Sequence, residues 1–231
     1  MMESFLDDSA QPAVRGFIHH PETKCADGLV LTHGAGANCQ SRLLLVVAQA
    51  FAASGLTVLR CDLPFRQQRP HGPPFPGIAG NDREGLRRAV QAMKNLVPGR
   101  VFLGGHSYGG RQATMLAAES EEKDQHIAAG LLLLSYPLHP PRKPSELRTA
   151  HFPQLRTPSL FVHGTRDPFG SPYEMKSALQ LIPGDNMLLD IPGTGHELLS
   201  PKIAKDLPAQ IVDAFMNFFR REHLQSSLPV R

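Results

Sequence analysis

Short apolar runs and amphipathic helical stretches alternate along almost the whole of this chain, and that rhythm limits the open folds more than any other feature. Runs rich in Val, Leu and Ile fall at 28–32, 56–61, 100–104, 129–134, 159–162 and 187–191. They lack the polar-apolar alternation of a half-exposed strand, so both faces must be covered, as in a parallel sheet. A further strand is expected at 14–19. Helical patterns fill the gaps at 42–53, 83–96, 108–119, 173–181 and 207–221. The second sets Leu86, Ala89, Val90, Met93 and Leu96 on one stripe, and the last spaces Ile211, Phe215 and Phe219 four apart. Gly55 stands at one helix stop, Pro98-Gly99 breaks another, and Pro208 suits a first turn, where a missing N–H costs little. The alternation predicts an α/β fold, with an open, mostly parallel central sheet and helices on both faces. A length of 231 residues suits one domain, with residues 1–12 expected to be a flexible N-terminus.

Composition removes several function classes. The formal net charge is +3 and no basic stripe is interleaved with aromatics, so a nucleic-acid partner is not expected. The apolar runs at 43–48 and 128–134 fall far short of the ~20 residues a membrane helix requires. The first residues carry early acids and no apolar stretch, unlike a secretory signal. Cys25, Cys39 and Cys61 form neither a disulfide framework nor a metal-ligand spacing. The expectation is a cytoplasmic protein without membrane attachment, metal or cofactor. A protein partner is left open, since nothing in the residues indicates one.

The chemistry-bearing motif is Gly104-Gly105-His106-Ser107-Tyr108-Gly109-Gly110. It holds Gly-x-Ser-x-Gly between a strand pattern and a helix pattern, which is the context that gives the motif meaning. So tight a reversal strains the central residue and lifts its hydroxyl to the carboxyl end of the sheet, above a helix N-terminus that favours developing negative charge. Serine is a weak nucleophile at its own pKa and needs a base within hydrogen-bond reach. Histidine titrates near neutrality and is the usual choice. There are 11 histidines, so position must decide. His196, in Gly193-Thr194-Gly195-His196-Glu197, follows the last strand pattern. The acid that orients it should follow the strand before, and there Asp167 lies in His163-Gly164-Thr165-Arg166-Asp167-Pro168-Phe169-Gly170. Asp62, Asp185 and Asp190 are less well placed.

Acyl transfer through a tetrahedral intermediate needs N–H donors aimed at the new oxyanion. One is assigned to Tyr108, directly after the nucleophile. The other comes from the loop after an early strand, His33-Gly34-Ala35-Gly36-Ala37-Asn38, and is assigned to Ala35 with Gly36 as the alternative. His33 is read as a loop-bonding residue rather than a proton carrier. A competing reading takes Gly34-Ala35-Gly36 with Asp62 as part of a dinucleotide-binding fingerprint. Its third glycine position is Cys39, and it leaves Ser107, Asp167 and His196 unexplained.

On these residues the chain resembles the α/β-hydrolases. More narrowly, it is similar to the branch containing the vertebrate testis-expressed hydrolase-like protein and the hydrolase-like subunit 3 of the non-specific-lethal acetyltransferase complex. The narrower likeness rests on Tyr136-Pro137-Leu138-His139-Pro140-Pro141 and on Thr165-Arg166-Asp167-Pro168-Phe169-Gly170. It implies the α/β-hydrolase fold and the Ser107, Asp167 and His196 roles, and supplies no substrate. Dienelactone hydrolases, a neighbouring group, use cysteine where this chain has Ser107.

Only residues 137–158 separate two strand patterns where related hydrolases insert a cap domain, so no cap is expected and the site should be open. Its walls would come from loops 65–76 and 138–155, with Gly36, Phe65, Arg66, Arg142 and Phe169 as candidate substrate contacts. Arg66, Arg69, His71, Arg142, Lys143 and Arg148 would give those loops a mildly electropositive mouth, or simply solvated charge. The expected function is a serine hydrolase that cleaves a small carboxylic ester or thioester through an acyl-enzyme. The rivals are a non-catalytic interaction protein and a peptidase of the same fold.

Overall fold

Four consecutive leucines, Leu131–Leu134, show how the sheet is buried. Side chains alternate between the faces of a strand, so Leu131 and Leu133 enter one apolar core while Leu132 and Leu134 enter the other. A run apolar at every position therefore belongs where helices cover both faces. The structure, a computed structural model, describes residues 1–23, 25–123, 125–199 and 206–226, with the side chains of 221–226 left aside.

Eight strands form the sheet: β1 (Met2–Asp7), β2 (Val14–His19), β3 (Gly28–Thr32), β4 (Thr57–Cys61), β5 (Val101–His106), β6 (Leu131–Leu134), β7 (Ser159–Gly164) and β8 (Asn186–Ile191). Their spatial order is β1-β2-β4-β3-β5-β6-β7-β8. The pairs β1·β2 and β2·β4 are antiparallel and the remainder are parallel. The helices are α1 (Arg42–Ala53), α2 (Pro64–Gln68), α3 (Ala79–Leu96), α4 (Tyr108–Glu121), α5 (Pro172–Leu179) and α6 (Leu207–Ser226). Buried residues of α3, α4 and α5 cover one face, and those of α1 and α6 cover the other.

Each element expected from the sequence is present. The N-terminus, expected to be flexible, instead contains β1, an edge strand paired with β2 from Met2↔His19 to Asp7↔Val14. Its Met-Glu-Ser-Phe-Leu-Asp sequence is mostly exposed, and an edge strand of that polarity carries no apolar run to reveal it. The stretch read as a plain loop after β4 contains α2. Five residues are too few for a helical period, although Pro64 occupies a first-turn position. Between β6 and β7 there is one 3-10 turn, Phe152–Gln154, and no inserted cap domain.

The sheet reverses its build direction at β3. From β3 the chain crosses to β4 on one side, whereas β5 lies on the other. The loops leaving β3 and β5 therefore diverge and open a crevice at their carboxyl ends, the place where open α/β sheets bind ligands. Register aligns those ends, with Thr32 beside Gly105, His106 beside Leu134, and Gly164 beside Ile191.

On the opposite face Phe215 of α6 meets Phe51, Phe102 and Phe219 at ring-centroid distances of 4.9, 4.8 and 4.5 Å. Phe215→Ala would empty the middle of this cluster, far from the crevice. The expected result is about 3–5 kcal/mol of lost stability in urea unfolding, with the activity of the folded fraction unchanged.

Candidate active site

Ser107 joins β5 to α4 with φ +53° and ψ −114°, a conformation rare outside glycine. Close packing enforces the turn. A Cβ on Gly105 would lie 2.8 Å from the Gly109 carbonyl carbon, and one on Gly109 would lie 2.6 Å from the His33 carbonyl oxygen. The Ser107 N–H donates to the Leu134 carbonyl at 2.8 Å, which ties the turn to β6.

The structure brings the three expected side chains into one hydrogen-bonded line. The Ser107 Oγ lies 2.8 Å from His196 Nε2, and His196 Nδ1 lies 2.8 Å from Asp167 Oδ2. The Asp167 side chain is fully buried, whereas that of His196 is 16% exposed. Asp167 Oδ1 also accepts the Phe169 N–H at 2.9 Å. Nδ1–H of His196 donates to the carboxylate, leaving Nε2 to accept from the hydroxyl.

Backbone contacts stitch the two loops together. Arg166 N–H donates to the Thr194 carbonyl at 2.8 Å, and Gly193 N–H to the Thr165 hydroxyl at 2.9 Å. A Cβ on Gly164 would collide with the Thr194 and Gly195 carbonyls. Phe169 packs over the His196 ring at 4.2 Å and 32° between planes. His106 was not singled out in the sequence beyond its place in the motif. Its Nε2–H donates to the His196 carbonyl at 2.9 Å, and burial lowers its pKa so that the ring stays neutral.

The loop after β3 lies beside the serine. A Cβ on Gly34 would sit 3.4 Å from the Ser107 Cβ. His33 is buried and plays the loop-bonding part expected of it. Its Nε2 accepts the Leu63 N–H at 3.1 Å, so the proton is on Nδ1 and donates to the Gly34 carbonyl at 2.8 Å. Burial is the main cause pushing this imidazole down to about 4, and nearby Arg66 adds to it. The Gly34 carbonyl also accepts the Ala37 N–H at 3.1 Å. In a trans peptide the N–H points opposite to the carbonyl, so the Ala35 N–H is turned away from His33. Gly36 is exposed and faces open space. Asp62 accepts the Cys39 N–H at 2.7 Å and so ties the loop together.

Two expected substrate contacts, Phe65 and Arg66, are corrected. Phe65 is 2% exposed, packed 5.6 Å from the His33 ring and 5.8 Å from Tyr108, and so belongs to the core. Arg66 is 5% exposed, its guanidinium bonded inward to backbone carbonyls. Arg142 is exposed on a turn at φ +63°, and none of the described hydrogen bonds ties it to the site. Of the other basic side chains at the mouth, Arg148 donates to the Pro137 carbonyl and Lys143 pairs with Glu146. Arg69 lies over the Phe75 ring at 4.6 Å. Much of the supposed positive charge is thus engaged locally.

Asp82 escaped the sequence reading. It is fully buried, accepting the Phe65 N–H at 3.0 Å and the Tyr108 hydroxyl at 2.8 Å, and burial raises its pKa. The available signal was a charged residue in line with the stripe of Leu86, Ala89 and Met93. Tyr108→Phe would leave one buried carboxyl oxygen without its donor while keeping the backbone N–H beside Ser107. The expected outcome is a loss of about 1–3 kcal/mol in denaturant unfolding. Ser107 reactivity towards a fluorophosphonate probe should fall by less than about tenfold, because the donor expected of Tyr108 is its backbone N–H, which the substitution keeps.

No group of three or more His, Cys, Asp or Glu side chains suited to a metal ion is found among the described residues. Among those residues, too, no helix is long and apolar enough to cross a membrane. The structure is similar to a dienelactone hydrolase from Anabaena variabilis, at TM-score 0.72 and 20% identity over 94% of this chain and 98% of that one. It is also similar to an alpha-beta serine hydrolase homologue from Coxiella burnetii, at TM-score 0.74 and 17% identity over 92% and 96% of the two chains. A third likeness is to a serine hydrolase without lid from Xanthomonas campestris, at TM-score 0.68 and 16% identity over 100% and 96%. Identities this low speak for the shared fold alone. The sequence itself matches the family described as alpha/beta hydrolase domain over residues 26–220, and the chain belongs to that family.

Proposed function

We propose that this protein is a serine hydrolase that cleaves carboxylic esters or thioesters through an acyl-enzyme. The observation that carries the reading is the unbroken line from Asp167 Oδ2 through His196 to Ser107 Oγ, both links at 2.8 Å, ending on a strained turn at a helix N-terminus. Ser107 attacks the carbonyl carbon while His196 Nε2 takes its proton. Asp167 holds the imidazole in the required tautomer and stabilises the imidazolium. The oxyanion is received by the N–H groups of Tyr108 and Ala35. His196 then protonates the leaving alcohol or thiol, and a water activated by the same ring releases the acid.

Two features favour a serine ester mechanism over the cysteine chemistry of dienelactone hydrolases. The nucleophile position holds Ser107, and burial pushes the Cys39 thiol up to about 12, with Cys61 also raised. The site lacks a cap, which suits small substrates presented from solvent. The finer likeness to the testis-expressed and non-specific-lethal branch rests on the 136–141 and 165–170 strings and adds no substrate. A small-molecule ester or thioester acting in the cytoplasm completes the proposal, with no nucleic-acid or membrane partner.

A fluorophosphonate probe should label the wild type and leave Ser107→Ala unlabelled; equal labelling of the two would sink the reading and favour a non-catalytic role. With p-nitrophenyl esters of graded chain length, Asp167→Asn should lower kcat by about 10⁴-fold, because the wrong histidine tautomer is then favoured. Matched neutral and carboxylate-bearing esters should differ by less than about tenfold in kcat/KM, since exposed side chains at the mouth carry little net interaction. A larger preference for the anion would restore the electropositive mouth.

A further inference from the structure

Arg66 is a buried cation with no ion-pair partner among the described residues. Its residue is 5% exposed, and among the described residues no carboxylate oxygen lies within 4 Å of it. All its partners are neutral carbonyls. Nε donates to Ala37 at 2.7 Å, Nη1 to Arg69 at 3.0 Å, and Nη2 to Ala35 at 2.8 Å and to Gly72 at 3.0 Å. Phe65 lies against the guanidinium at 4.9 Å. Burying an unpaired charge is costly, and packed apolar residues of similar volume commonly serve stability as well or better. The placement therefore calls for a role beyond loop closure.

Two of the four carbonyls belong to the loop that flanks Ser107. The guanidinium draws the Ala35 and Ala37 carbonyls to one side, and His33 draws the Gly34 carbonyl to another. The Gly34–Ala35 peptide is thereby held by His33 and the Ala35–Gly36 peptide by Arg66, so the Ala35 N–H points away from the imidazole and the Gly36 N–H away from the guanidinium. A peptide whose carbonyl binds a cation is also polarised, so that its N–H becomes a stronger donor. The Ala35–Gly36 peptide is in that state. A negative charge forms at this loop only in the transition state, when the carbonyl oxygen becomes an oxyanion.

We infer that Arg66 is a positioning residue of the oxyanion hole: it holds loop 34–37 by the Ala35 and Ala37 carbonyls, which fixes the backbone that carries the Ala35 N–H, and it polarises the N–H of Gly36, the alternative donor of that loop. This rests on the hydrolase reading above. Arg66 touches no substrate, and its charge is matched when the oxyanion forms rather than in the resting protein. The short helix α2 carries Arg66 to the loop and is anchored by Asp82 through the Phe65 N–H.

The test compares wild type, Arg66→Lys and Arg66→Met with p-nitrophenyl butyrate. It adds an alkyl trifluoromethyl ketone, which adds to the serine as a tetrahedral oxyanion, and butyrate as a ground-state ligand. Unfolding is monitored for each protein. Arg66→Met should lower kcat by about 10²-fold, near the loss of one oxyanion donor, and weaken the ketone in proportion. KM and the butyrate inhibition constant should stay within about threefold. Arg66→Lys, which keeps the charge and loses the fork, should fall between. Should Arg66→Met fail to fold, the Lys variant decides alone. A folded Lys variant with wild-type kcat and ketone affinity overturns the inference, as does a raised KM with unchanged ketone affinity, which would make Arg66 a substrate contact. A wild type that neither turns over esters nor takes the fluorophosphonate ends the hydrolase reading and this inference together; an active wild type matched by Arg66→Lys ends the inference alone.

Discussion

The backbone at the end of β3 and the turn that follows β5 are pressed together without room for a Cβ. Gly105 and Gly109 allow it, since a methyl on Gly109 would meet the Thr32 side chain and the His33 carbonyl, each at 2.6 Å. The half of the crevice around Ser107 follows from that approach. It holds Ser107 in its positive-φ conformation, sets loop 34–37 beside the hydroxyl and starts α4 beneath it. Strain in the turn is sustained because the parallel neighbours on both sides of β5 leave the chain no softer path.

The other half of the site is built by a different principle. Loops 165–170 and 193–196 leave adjacent strands, β7 and β8, and are joined by the main-chain bonds from Thr165 N–H to the Ile191 carbonyl and from Arg166 N–H to the Thr194 carbonyl, with the Thr165 hydroxyl accepting the Gly193 N–H besides. Asp167 is then buried with one oxygen bonded to Phe169 N–H and the other to His196. His106 reaches across from the nucleophile turn to hold the His196 carbonyl. The two halves are thus linked through a neutral buried imidazole, in addition to the Ser107–His196 bond.

Several buried polar groups lie beside this crevice. Asp82, His33 and Arg66 lie under the β3 and β4 loops, each bonded mainly to backbone N–H or carbonyl groups. Such groups contribute less to net stability than apolar packing of equal volume, but they fix peptide orientation in a way that leucines cannot. That is the physical distinction between this end of the sheet and the Phe51–Phe102–Phe215–Phe219 cluster across it.

The alternation of strands and helices from β2 onward, α2 apart, and the burial of both sheet faces were legible in the linear chain, as were the positions of Ser107, Asp167 and His196 after their strands, the three side chains that the structure joins by hydrogen bonds. Period, glycine spacing and position after a strand are local properties, and they survive without tertiary knowledge. Arg66 and Phe65 looked like mouth residues because a loop position carries no record of which way the side chain turns. β1 went unseen because an exposed edge strand has no apolar pattern, and α2 because five residues hold too little periodicity. Asp82 and His106 gained their parts only when distant segments met. Residue type and local period determined the fold class and the tight turn at Ser107; the direction of each buried polar side chain was decided by the tertiary structure, because a hydrogen bond needs its partner's coordinates and these come from another part of the chain.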